Sequence, residues 1–171
     1  MTMRILVAYG SKRGGTRGLA EMVGAELERR GYDVEVRDAR RVAGLEPYDA
    51  VIVGGALYAF RWHRHARRFV RRHRRALRHL PVWLFSSGPL DESAATGELP
   101  PVRHVRPAME RLGARGHMTF GGRLAADATG FPASAMAKSN AGDWRDPGHV
   151  ARWVDQIGRE LQTGAEPVVT A

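Results

Sequence analysis

Cysteine is absent from the 171-residue chain, which excludes disulfides, thiolate catalysis, iron–sulfur clusters and cysteine-held zinc. Lysine is nearly absent as well: of 27 basic residues, only Lys12 and Lys138 are not arginine. No apolar run approaches the ~20 residues that a membrane-spanning helix needs. No charged-then-apolar leader opens the chain, which begins directly on a strand pattern. These absences fit a cytoplasmic protein, peripheral to a membrane at most. Repeats, low-complexity tracts and an interdomain linker are also lacking. A hydrophobic content of 43% over this length suits one domain with a substantial core. That domain is expected over residues 1–163, with 164–171 a frayed tail.

Acidic residues are missing from one place in particular. Between Arg61 and Leu80 stand nine arginines and no Asp or Glu, while the remaining 18 basic residues are matched by 18 acidic ones. The whole formal excess of +9 therefore sits in one segment. Its apolar residues Ala66, Phe69, Val70, Ala76, Leu77 and Leu80 fall near helical spacing, so it reads as an amphipathic helix ended by Pro81. A solvated face is the plain reading of such a charge run. Three uses compete with it: gripping a carboxylate-bearing substrate, docking an acidic protein, or lying against anionic lipid headgroups of a membrane. Nucleic acid is disfavoured, because no recognised reading motif is present. His63, His65, His73 and His79 do not make a metal site by spacing, since residues 63 and 65 of one helix point about 200° apart.

What is present is an alternation of strand and helix patterns. Short apolar runs mark strands at Ile5–Ala8, Ala50–Val53, Val82–Phe85 and His117–Phe120, with an alternating one at Asp33–Arg37. Helices are expected from Thr16 to a stop at Gly31, through the arginine segment, around Val102–Leu112, and from Pro147 to Leu161 behind the N-cap Asp146, with Asp143 a second capping candidate. Residues Arg123–Gly142 read as a long loop with one turn around Ala133–Lys138. Five strands alternating with helices imply an α/β fold with a doubly wound parallel sheet. Ligands of such sheets sit beyond the C-terminal ends of the strands. Three loops meet that requirement: Tyr9–Thr16, Gly54–Trp62 and Ser86–Asp91.

The first loop, Y-G-S-K-R-G-G-T, leads into a helix start whose N–H groups and dipole suit a phosphate. It is not a P-loop: Gly10 and Gly15 have that spacing, but Thr16 and Arg17 follow where Lys and a hydroxyl are required. Glycines 10, 14, 15 and 18 do not fit a dinucleotide fingerprint either. What remains, S-K-R-G-G-T between first strand and first helix, resembles the phosphate loop of the flavodoxin family, in which hydroxyls and a glycine hold the phosphate of FMN. Ser11, Gly14 and Thr16 match; Arg13 replaces the middle hydroxyl. The resemblance runs from about Arg4 to Leu161. Within the superfamily it is nearest the protoporphyrinogen dehydrogenase branch, through S-K-R-G-G-T, V-I-V-G-G-A-L-Y-A-F-R-W-H before a basic helix, and D-W-R-D before the last helix.

The resemblance implies a flavodoxin-like sheet of order 2-1-3-4-5 in three α/β/α layers, with FMN as cofactor. It implies an oxidoreductase that exchanges reducing equivalents between a porphyrinogen and a quinone; a flavodoxin-type electron carrier is the alternative. The residues suit a flavin. Its phosphate carries about −2 charge, and Ser11, Lys12, Arg13, Gly14, Gly15 and Thr16 supply hydroxyls, amides and cations. Ala56, Leu57, Tyr58, Phe60 and Trp62 supply a loop whose aromatics can cover a ring face. Ser86, Ser87, Gly88, Pro89, Leu90 and Asp91 supply backbone groups for the polar edge of the ring. Arg61, His63 and Arg64 lie nearest that loop and are expected to contact substrate. No catalytic residue beyond the flavin is expected.

Overall fold

The computed structural model describes residues 2–11, 14–58, 61–88, 105–121, 123–124, 142–143 and 145–164. Strands β1 (Arg4–Gly10), β2 (Asp33–Asp38), β3 (Ala50–Tyr58), β5 (Val82–Ser87) and β6 (Gly116–Phe120) form a parallel sheet of order β2-β1-β3-β5-β6. This is the expected order; the two-residue strand β4 (Arg61–Trp62) only shifts the numbering, pairing antiparallel with β3. Helices α2 (Arg64–Arg72), α3 (Arg74–Leu77) and α4 (Val105–Leu112) cover one face. Helices α1 (Gly15–Arg29) and α5 (Pro147–Thr163) cover the other.

Strand alternation divides the core. Leu6, Ala8, Val51, Val53, Val82 and Leu84 point to the α2 side and pack on Ala66, Phe69, Val70 and Leu77. Ile5, Val7, Ile52, Trp83, Phe85 and Phe120 point to the α1 side and pack on Leu19, Val23, Leu27, Trp153 and Ile157. Central strands buried on both faces read as continuous apolar runs for this reason. On the α1 side, the Phe85, Phe120 and Trp153 rings meet edge to face with centroids 5.4–6.1 Å apart.

Three local expectations are corrected. Gly54-Gly55 does not end the third strand. The strand continues to Tyr58 and folds back as a hairpin, Leu57 opposite Trp62. The glycines are there because a side chain on Gly54 would strike the Phe85 ring and one on Gly55 the Trp62 indole. The arginine segment is two helices, not one, broken at His73. Asp143 sits in a two-residue ribbon, β7 (Arg123–Leu124) with β8 (Gly142–Asp143). Asp146 has the capping geometry, its carboxylate accepting the Gly148 N–H at 2.9 Å. The expected turn at Ala133–Lys138 lies outside the described residues, as does the tail after Gly164.

Candidate functional site

The register brings the three loops together. Gly10 pairs with Gly55, and Gly55 with Ser86. Adjacent strands lie about 4.8 Å apart, so all three loops leave one row at the C-terminal edge of the sheet. The β5 end also touches the β3 end: a Cβ on Gly88 would lie 3.4 Å from Leu57 Cβ.

At the end of β1, Gly14 adopts φ +78° and serves as N-cap, with open space where a side chain would be. A bulkier residue would be strained in that left-handed conformation. Its carbonyl accepts the Gly18 N–H at 2.9 Å, the first bond of the helix. The N–H groups of Gly15, Thr16 and Arg17 consequently have no intrahelical partner. The cap carries no side-chain hydrogen bond, and no acid stands in the first turn. Thr16 is buried, and its Oγ1 has no hydrogen-bond partner among the described residues. A buried hydroxyl without a partner costs free energy comparable to a lost hydrogen bond. An anion at this turn would satisfy it together with the free amides and the dipole.

The other expected contacts divide. Lys12, Arg13, Phe60, Pro89, Leu90 and Asp91 lie outside the described residues, as does the Tyr58 side chain. Ser11 is half-buried beside the turn. Trp62 is 1% exposed and its Nε1 donates to the Phe85 carbonyl at 3.3 Å, so its ring belongs to the core and is not open to cover a flavin. Ser86 is fully buried, its Oγ 2.9 Å from His117 Nε2. The Gly88 N–H is committed to the Phe120 carbonyl at 2.8 Å and does not face a ligand. Ala56 accepts the His63 N–H at 2.8 Å, closing the hairpin. Ser87 and Leu57 remain at the rim of the sheet edge.

Arg61 on β4 and Arg64 at the start of α2 are exposed, but His63 between them is buried. It is the N-cap, outside the helix, and its Nδ1 accepts the His65 N–H at 3.2 Å. The 63 and 65 rings therefore meet at 4.5 Å instead of pointing apart. Burial, with help from His65 and Arg64, pushes His63 down to about 4. His117 falls to about 4 through burial.

One residue escaped the sequence reading. Arg145, from D-W-R-D, lays its guanidinium against Gly18 in the first turn of α1, where any side chain would displace it. Its sequence signal is the D-W-R-D motif before the last helix.

An open parallel sheet with a helix start capped by a bare glycine, and with two further loops at one edge, is the arrangement that nucleotide- and flavin-binding α/β domains use. A family profile described as Flavodoxin domain matches residues 6–138, and the chain belongs to that family. FMN is the cofactor that goes with it. The chain is 27% identical to the protoporphyrinogen IX dehydrogenase [quinone] of Escherichia coli over 86 residues, 49% of this chain and 48% of that protein. The match thus spans about half the length of that curated relative. Among solved structures, a cysteine-to-serine mutant of flavodoxin from Pseudomonas aeruginosa is 15% identical, with TM-score 0.60 over 94% of this chain and 99% of that one. Flavodoxin 2 from Bacillus cereus is 17% identical, with TM-score 0.55 over 92% and 99%. Among the described residues, no helix is long and apolar enough to cross a membrane.

Proposed function

We propose that the chain is an FMN-dependent oxidoreductase whose β1–α1 turn holds the phosphate. The observation that carries this reading is the buried Thr16 Oγ1, without a partner among the described residues, beneath a helix start whose N-cap glycine brings no side-chain hydrogen bond and whose first turn carries no acid. Thr16, Ser11 and the amides of Gly14, Gly15 and Arg17 bind the phosphate, and Lys12 and Arg13 add charge. Arg145 reinforces the turn from the α5 side. Leu57, Tyr58 and Phe60 bound the ring, with Ser87 and the 89–91 loop at its polar edge. Bound FMN supplies the redox chemistry, and the protein orients it and controls access. Arg61 and Arg64, exposed beside the β3–β4 hairpin, steer an anionic substrate to the open edge.

Protoporphyrinogen-type oxidation with a quinone acceptor is the finer reading, supported by the relative in Escherichia coli. A carrier without substrate chemistry of its own is the second reading, favoured by flavodoxins that match along nearly the whole chain. Anaerobic mixing of the FMN-loaded protein with protoporphyrinogen, followed by a menaquinone analogue, separates them. Bleaching of the flavin absorbance by the first and its return with the second is the expected result. A flavin that bleaches only with dithionite or a reductase would leave the carrier.

A further inference from the structure

Helices α2 and α4 enclose a cleft of about 720 Å³, within the range of small-molecule sites. Its walls carry six arginines: Arg64, Arg67, Arg68 and Arg71 from α2, Arg74 from α3 and Arg111 from α4. Positions 64, 67, 68 and 71 are i, i+3, i+4 and i+7, so four guanidiniums share one helix face. Among the described residues none of the six forms an ion pair. Arginines 4, 17, 29, 30, 37, 40, 152 and 159 each have a carboxylate. Among the described residues no acid lines the cleft, and its floor is apolar, from Trp62, Val70, Ala108 and Leu112. His65, the other titratable group on the wall, is held below its ordinary pKa by burial and by Arg40 and Arg64.

We propose that this cleft binds a small polyanion, a molecule carrying two or more phosphate or carboxylate groups. Guanidinium forks hold such groups in bidentate pairs, and an apolar floor strengthens each pair by lowering the local dielectric. Four like charges on one face repel one another until an anion lies between them. A concave cavity walled from both helices favours a compact ligand over a flat membrane or protein surface. The proposal stands apart from the flavin reading and uses none of its residues except Arg64.

Calorimetric titration of the full chain, in excess FMN, with tripolyphosphate and separately with citrate tests this. Saturable, salt-sensitive binding is expected, weakened about tenfold in Arg71→Gln and Arg111→Gln. It should be unchanged in Arg29→Gln and Arg152→Gln, which lose the same charge elsewhere. Tighter binding of either probe names the group preferred. Three results would overturn the proposal: equal weakening in all four variants, binding lost in Thr16→Val but kept in Arg71→Gln, or a response to anionic vesicles with none to either probe. Circular dichroism of each variant establishes that it is folded.

Discussion

The arginines on the two sides of the sheet are numerous on both and arranged oppositely. On α1 and α5 they alternate with acids at helical spacing: Arg17 with Glu21, Arg30 with Glu26, Arg159 with Asp155. On α2 they stand at the same spacing with one another. Surface pairs of the first kind add a few tenths of a kcal/mol each, and like-charge neighbours subtract similar amounts. The α2 helix is therefore held by its buried face, Ala66, Phe69 and Val70, against the preference of its exposed one. Among the described residues, that exposed face carries charge with no carboxylate to offset it.

The largest way to sharpen this contrast is pH. His63, His65, His73 and His117 all belong to the α2 side of the sheet and all titrate below their ordinary value, burial being the first cause in each. A histidine whose folded pKa lies below its unfolded value contributes stability that is present in full above about 6.5 and lost as pH falls toward the folded value. For His117, about 4 when folded, that amounts to roughly 3 kcal/mol between pH 7 and pH 4. Urea denaturation at both pH values in wild type and His117→Gln isolates it, because carboxylate losses are common to both proteins. The variant should lose that much less. An equal loss would mean that burial does not keep the His117 imidazole neutral.

A smaller effect, but one of sign, comes from charge reversal. Arg68→Glu places an acid among Arg64, Arg71 and Arg72 and should raise stability by roughly 0.5–1 kcal/mol. Arg159→Glu sets an acid against Asp155 and should lower it by a few tenths. Thermal unfolding at low salt reads both, and the two shifts should shrink together in high salt. Shifts of the same sign would end the contrast between the two sides.

Much of this arrangement was legible in the chain. The apolar runs marked the core strands because central strands are buried on both faces, and Asp146-Pro147 marked the last helix because capping is local chemistry. The turn at Gly14–Thr16 was equally local. What escaped depended on partners distant in sequence. Gly54-Gly55 looked like a strand stop, and only the Phe85 and Trp62 rings explain why glycine continues the strand. Trp62 looked like a loop aromatic until its indole found the Phe85 carbonyl, 23 residues away. The absence of acids around Arg61–Leu80 was visible from the outset. That α4 closes those arginines into a cleft was not, because it depends on how two helices pack.

The central claim is that the β1–α1 turn holds the phosphate of FMN through Thr16. Titration of the purified protein with FMN, followed by quenching of flavin fluorescence, in wild type and Thr16→Val tests it most directly. Saturable binding is expected in wild type and binding weaker by about tenfold or more in the variant. The variant's stability without FMN should be unchanged or raised, since a buried hydroxyl that has no partner among the described residues is removed. Folded wild-type protein that does not quench FMN, or Thr16→Val that binds it equally well, would contradict the claim.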